Sequence, residues 1–463
     1  MNEAPSPRRD PSSFRDPSGF VFWHEGVLYR QINQVYRSHY EQLMGSGLLE
    51  QLVREGLLIA HEECDVAPPQ PEQAYCVIQP AQLAFVSYPY EWCFSQLQDA
   101  ALATLRIQAL AVDHGMSLKD ASAYNIQFHY GRPTLIDTLS FEAYREGQPW
   151  VAYRQFCQHF LAPLALMAHT DVRLGQLLRV HLDGVPLGLA SQLLPGRTRL
   201  NPGLAMHLHL HARAHRRLNS KKAQPGRGGM SRTALLGLVD SLRSAVEKLT
   251  WDPQATPWSD YYQECGYSSR ALEHKRRLVR QYLQALQPRA VWDLGANTGM
   301  FSRLAADLGA HTVAFDSDPG AVEACYRACR EAQQANLLPL LLDLTNPSPA
   351  MGWELRERAS FPDRGPADAV LALALVHHLA IGNNTPLPRI AAFLARLGNS
   401  LVIEWVPKAD PQVQRMLAMR EDIFDEYTQE AFERAFQPYY TTEARAIIVE
   451  TSRVVYLMKK VAA

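Results

Sequence analysis

Asp293-Leu294-Gly295-Ala296-Asn297-Thr298-Gly299 joins a short apolar run, Ala290 to Leu294, to a helical one, Thr298 to Leu308. A strand that ends in spaced glycines and passes directly into a helix makes a tight turn. The free amides at the start of that helix favour a carboxylate or phosphate. Working outward, the alternation repeats. His311 to Phe315 reads as a second strand and Pro319 to Ala335 as a second helix, with proline suitably at its start. Leu338 to Leu342, Ala369 to Leu375 and Ser400 to Val406 read as three further strands, with a helix over Pro388 to Leu397. This order predicts an α/β domain built on a parallel, doubly wound sheet. Two late runs, Ala444 to Val449 and Arg453 to Met458, predict an antiparallel hairpin at its edge.

A glycine-rich turn alone is weak. Here Asp316 follows at the end of the second strand, where a carboxylate about 20 residues beyond the turn accepts ribose hydroxyls. Asp343 closes the third strand. A dinucleotide site of the G-x-G-x-x-G type is disfavoured, because the spacing provides no final glycine.

These three stations resemble the class I S-adenosylmethionine-dependent methyltransferases, with Asn297 in place of the middle glycine of the loop. The resemblance covers about residues 260 to 463. It implies a Rossmann-like sheet with an antiparallel last strand, S-adenosylmethionine as cofactor, and methyl transfer to an O or N nucleophile. By the same resemblance Asp293 and the Gly295 and Gly299 backbone hold the methionine moiety beside Asn297, Asp316 holds the ribose, and Asp343 with Leu344 the adenine. Longer stretches, among them LPLLLDLTNPSPAMGW and VHHLAIGNNTPL, resemble methyltransferase-like proteins related to a rhizobial host-specific nodulation factor.

After the fourth strand the chain reads Leu375-Val376-His377-His378-Leu379. It has neither the Asp/Asn-Pro-Pro-aromatic run of amino-methylating DNA enzymes nor the Pro-Cys nucleophile of cytosine C5 enzymes. One of His377 and His378 is expected to face the methyl group and take a proton, since adjacent residues leaving a strand point apart. Glu404, ending the fifth strand, is expected to orient that histidine or bind substrate.

The N-terminal half carries Asp120-Ala-Ser-Ala-Tyr-Asn125, the D-x-x-x-x-N spacing of a kinase catalytic loop. A helix over Ala100 to Val112 precedes it, and Asp137 follows beyond a turn at Tyr130 to Pro133. This resembles kinase-like and aminoglycoside-phosphotransferase-like folds over residues 20 to 180. It implies an α+β region, with Asp120 as base and Asn125 and Asp137 holding the magnesium of Mg-ATP. Leu118 replaces the loop histidine and Thr138-Leu139 replace Phe-Gly. No glycine-rich loop stands near Gly19 to Gly26, and Arg30 is the nearby cation where a lysine is usual. A phosphotransferase or ATP-binding module is therefore the alternative to methyl transfer, and a non-catalytic S-adenosylmethionine-binding scaffold a further one.

Between the halves, Gly184 to Val239 contains no acidic residue. The segments expected are a disordered lead-in over 1–18, an N-terminal α+β region over 19–250 with a basic loop at 220–231, and a methyltransferase domain over 251–463. His207, His209, His211 and His215 interleave with Arg213, Arg216 and Arg217. A cation would be repelled there, so no metal is expected. A basic solvated helix facing an anionic substrate, small or macromolecular, is expected instead. With 46 Lys+Arg against 47 Asp+Glu, nucleic acid is not a favoured partner. No apolar run approaches the ~20 residues of a membrane span. Seven scattered cysteines without a CxxC pair suit a reducing, cytoplasmic setting.

Overall fold

The computed structural model describes residues 7–214, 229–253, 267–418 and 420–461. They fall into two compact units, Met1–Asp252 with Met351–Arg358, and Pro253–Ala350 with Ala359–Ala463.

The first unit begins with β1 (Arg8–Arg9), β2 (Gly19–His24) and β3 (Val27–Asn33). Glu25 and Gly26, both at positive φ, close the β2–β3 hairpin. Helices α1 (Arg37–Gly45) and α2 (Leu48–Arg54) precede β4 (His61–Cys64) and β5 (Ala74–Pro80). The strands form one antiparallel sheet in the order β1-β2-β3-β5-β4. Then come the largely buried α3 (Phe94–Asp113), β6 (Met116–Leu118), and the hairpin β7 (Ile126–His129) and β8 (Arg132–Leu135), turned at Tyr130 and Gly131. β9 (Phe141–Ala143) pairs with β6, and α4 (Arg232–Glu247) packs along α3, where Gln98 donates to the Val246 and Leu249 carbonyls. Sheet, helix, loop and hairpin follow one another in kinase-like order.

Two expectations change here. Residues 7–18, expected as part of a disordered lead-in, are ordered against the sheet: Arg8 and Arg9 add a short strand to it, and Asp10 and Ser13 hydrogen-bond to Val21. Arg8 and Arg9 pair with Trp23 and Phe22, Arg9 lies 4.3 Å over the Phe20 ring, and the Trp23 indole donates to Asp10. These anchors are polar and cation–π contacts, which leave no apolar periodicity to read. The histidine helix is not a solvated face either. His207 is held between the Tyr153 and Ser241 hydroxyls, and His209 between Ser191 and Thr198, at 2.8–2.9 Å. Burial pushes His207 down to about 4. His215 and most of the 220–231 loop lie outside the described residues.

The second unit opens with α5 (Ser269–Leu286), capped by the Ser268 hydroxyl. β10 (Ala290–Leu294), α6 (Met300–Asp307), β11 (His311–Asp316), α7 (Pro319–Glu331) and β12 (Leu337–Leu341) follow. β13 (Ala367–Ala372), α8 (Leu387–Leu397), β14 (Gly398–Trp405), β15 (Tyr440–Ile447) and β16 (Val454–Lys460) complete it. The sheet order is β12-β11-β10-β13-β14-β16-β15, with β12 to β14 parallel and β16 antiparallel to both neighbours. This is the Rossmann-like methyltransferase sheet that the sequence implied. Its order reverses between β10 and β13, the switch point where such sheets take ligands. The fourth strand ends at Ala372, three residues before the apolar run does, because Ala374 turns at positive φ. Among the described residues no helix is long and apolar enough to cross a membrane.

Gly299 immediately precedes α6 at φ +80°, and a Cβ there would stand 2.4 Å from the Cys325 Sγ on α7. Gly299→Ala should cost about 1–2 kcal/mol for the backbone and a further 1–3 kcal/mol or so for overpacking. In a Cys325→Ala background the steric part should vanish and the backbone part remain, as a double-mutant cycle in urea would show. Additive effects would mean that Cys325 is not what excludes a side chain.

Candidate functional site

At the carboxyl edge of the second unit's sheet lies a cavity of about 270 Å³. Its walls come from the ends of β10, β11, β12 and β13. Asp293, Gly295, Ala296 and Asn297 form one side, Asp316 and Ser317 the next, Leu342 to Thr345 the third, and Leu373 to Leu375 with His378, Leu379 and Asn383 the fourth. Gly295 turns at φ +75° and Asn297 at +50°, a conformation in which asparagine costs little. The Gly295 and Ala296 amides donate to the Phe315 carbonyl, which ties the loop to β11.

The three acids differ in setting. Asp293 is buried, accepts from the Ser302 hydroxyl at 2.6 Å, and is pushed up to about 6 by burial despite Ser302 and the Lys275 charge. Asp316 accepts the Asn297 amide at 2.7 Å and the Asp318 amide at 2.9 Å, and burial raises it as well. Asp343 is exposed and accepts the Thr345 amide and hydroxyl. A cavity with two partly desolvated carboxylates, loop amides and the apolar sides of Leu342, Leu344 and Leu375 suits a ligand with cationic, diol and flat aromatic parts. S-adenosylmethionine fits that donor set.

Three assigned residues take other places. Gly299 does not line the cavity; its role is the turn and the close approach to Cys325. His378 lines the cavity, while His377 is turned into the protein and buried, with its Nδ1 unpartnered among the described residues. Burial drives His377 well down and His378 to about 4, helped by neighbouring charge, so both are neutral imidazoles. Glu404, expected at the substrate, is fully buried outside the cavity wall. It pairs with Lys275 at 2.6 Å, lies 3.6 Å from Arg453, and accepts a short hydrogen bond from the Tyr267 hydroxyl. Burial alone would raise its carboxyl, but Lys275 and Arg453 hold it below the usual range.

Sequence reasoning misses Lys275. It stands on the buried stripe of α5 formed by Ala271, Leu278, Val279 and Tyr282, and it faces the cavity. A lysine at an apolar position of an amphipathic helix is the available signal.

In the first unit, Asp120, Asn125 and Asp137 do converge, since both other side chains act on Asp120. They are already engaged. Asp120 accepts the Ser122 amide and the Gln155 side chain. Asp137 accepts the Ser140 hydroxyl at 2.6 Å and the Leu139 amide, and forms a short ion pair with Arg30 of β3. Burial would raise the Asp137 carboxyl, yet Arg30 and these hydrogen bonds keep it low. The Arg30 guanidinium already holds one Asp137 oxygen and neutralises its charge, so Mg-ATP does not fit these residues as they stand. Among the described residues no cluster of three or more His, Cys, Asp or Glu is arranged to hold a metal.

The chain is 37% identical to nodulation protein NoeA of Rhizobium meliloti (strain 1021) over 465 residues, 99% of this chain and 97% of that one. It belongs to the NoeA family. The match to NoeA runs through both units. No family model matches the chain. Among solved structures it is similar to the N-methyltransferase NodS from Bradyrhizobium japonicum WM9, at 10% identity over 42% of this chain and 99% of that one, TM-score 0.32. It is also similar to the bifunctional kinase-methyltransferase WbdD, at 16% identity over 46% and 45%, TM-score 0.29.

A ligand that binds only the folded state raises the melting temperature. Millimolar Mg-ATP should therefore leave the first unit's melting unchanged while Arg30 holds Asp137. Differential scanning calorimetry with and without Mg-ATP checks this, and a concentration-dependent upward shift would mean that the pair opens.

Proposed function

We propose that the second unit is an S-adenosylmethionine-dependent methyltransferase acting on an O or N nucleophile. The observation that carries this is the meeting of Asp293, Asp316 and the Asp343-Leu344 corner around one cavity at the switch point, with His378 on the wall beyond β13. Bound there, S-adenosylmethionine supplies a methyl group on a positively charged sulfur. The protein's part is binding and aim. Asp316 keeps acceptor capacity for a ribose diol beside its two backbone donors, Asp293 offers negative charge to the cationic amino-acid end, and Leu342 and Leu344 cover the base.

His378 reaches the cavity as a weakly basic imidazole, suited to holding a nucleophile's hydrogen rather than to removing a proton from an unactivated one. Transfer of a methyl group needs mainly alignment, so positioning carries much of the rate. A phosphotransferase reading of the first unit is not favoured, because Arg30 and Asp137 neutralise each other.

Calorimetry with S-adenosylhomocysteine tests the proposal. Asp316→Ala should lose charge-assisted hydrogen bonds worth roughly 2–4 kcal/mol, about 30- to 1000-fold in affinity. Unchanged affinity in a folded variant would remove Asp316 from the site, and no binding to the wild type would sink the reading. His378→Ala should leave this affinity near wild type.

The Asp293 carboxyl adds a pH signature. Free, it titrates near 6. A cationic group beside it favours the ionised form, so binding expels a proton when the solution is near or below that pH. Affinity should rise with pH through 6, at most about tenfold per unit, and level off above it. Asp293→Asn should flatten the profile. Calorimetry in two buffers of different ionisation enthalpy measures the proton directly.

A further inference from the structure

Lys275 is buried, 3% exposed, yet lysine ordinarily carries its ammonium to water along a flexible stem. Burying an ammonium costs several kcal/mol unless its surroundings offset the loss of water. Glu404 does so in part, at 2.6 Å from the Nζ. The Tyr267 hydroxyl accepts a second hydrogen bond at 3.4 Å, and the Phe301 ring lies 4.8 Å away. An ammonium has three donors. Among the described residues the third has no acceptor, and Lys275 is a cavity-wall residue.

The partners of Lys275 are held from behind. Arg453, 3% exposed at its side chain, is gripped by both Asp410 oxygens at 2.7 and 3.0 Å and also faces Glu404. Lys275 and Arg453 together balance Glu404 and Asp410. The cavity acids, Asp293, Asp316 and Asp343, match the cationic and hydroxyl parts of the proposed cofactor. They repel its one carboxylate. Lys275 is the only cation among the described wall residues.

We infer that Lys275 binds the α-carboxylate of the cofactor's amino-acid end, with Glu404 and Tyr267 as positioning residues that fix the ammonium at the cavity wall. The inference rests on the cofactor reading above. It joins two charges far apart in sequence in a single function. Glu404 meets no ligand, and Lys275 reaches one only because Glu404 holds it.

The test uses calorimetry on the full chain with three ligands. S-adenosylhomocysteine carries amine and carboxylate, its decarboxylated analogue S-adenosyl-3-thiopropylamine keeps only the amine, and 5′-methylthioadenosine lacks both. Wild type should bind the decarboxylated analogue about 10- to 100-fold more weakly than S-adenosylhomocysteine, the factor of one charge-assisted hydrogen bond. Lys275→Met should lower S-adenosylhomocysteine affinity by the same factor and leave both carboxylate-free ligands within about twofold of wild type. Glu404→Gln should weaken S-adenosylhomocysteine by a smaller factor with the same selectivity. Equal wild-type affinity for S-adenosylhomocysteine and its decarboxylated analogue overturns the inference even if the variants fail to fold. So does a Lys275→Met variant that binds all three less well, which would make the lysine structural. A variant that binds S-adenosylhomocysteine normally overturns it too, and would turn attention to a carboxylate on the acceptor. In each of these cases the cofactor reading survives. If wild type binds none of the three, the cofactor reading fails and takes this one with it.

Discussion

The reversal of strand order between β10 and β13 is the constraint on which the second unit depends. The chain leaves β10 towards β11 on one side and comes back to β13 on the other. No connection covers the strand ends at the point of parting, so the carboxyl edge there stays open. Everything chemically distinctive lies on that edge: the Asp293–Asn297 turn, Asp316, the Asp343-Leu344 corner and His378. The apolar residues of the strands below, Val291, Leu371 and Val402 among them, are fully buried in a shared core with α5 and α6. A cavity of that kind is rigid because its floor is a packed sheet, and selective because its rim is polar.

Holding so many ionisable groups at one edge is costly, and the sequence meets the cost in two ways. Asp293 is allowed to drift up to about 6, close to where it can be neutral, rather than being paired outright. Glu404 is treated in the opposite manner, with Lys275, Arg453 and Tyr267 gathered round it until its charge is secure. The first arrangement leaves a group responsive to a ligand. The second makes a fixed charge. A loose carboxylate at the wall and a locked one behind it are what a binding site needs if the ligand is to change the former without disturbing the latter.

The division also explains what can be read from the chain alone. The strand–turn–helix around Gly295 and the acids after the next two strands are local patterns, each written within a few residues, and they are legible. So is the order of the sheet, since apolar runs and helices alternate. What is not legible depends on pairing across the fold. Glu404 reads as a substrate ligand because its strand end points to the active edge; only Lys275, far earlier in the sequence, shows that it is already engaged. Gly299 reads as part of the ligand loop, but its lack of a side chain answers to Cys325 on a neighbouring helix. Residues 7–18 carry no apolar rhythm, and their order comes from Arg9 on Phe20 and Trp23 on Asp10.

The first unit turns the same logic round. Its loop spacing is a motif, and Asp120, Asn125 and Asp137 are neighbours in space, yet a motif states which residues meet and not what they are free to do. Arg30 stands on β3, where a kinase-like fold has its lysine, and the change of cation matters. A lysine is a compact point charge on a flexible stem, whereas a guanidinium is a planar group with fixed N–H directions, and here one of its nitrogens takes an Asp137 oxygen. Arg30 and the Leu139 amide share one Asp137 oxygen and the Ser140 hydroxyl takes the other, so Asp137 ties the β-sheet to the loop after β8. Within the same unit Arg358 lies 4.5 Å over the Tyr124 ring, inside the loop itself, and Glu357 pairs with Arg15. The sequence that looks most like a second active site is thus held by arginine contacts from both ends of the unit.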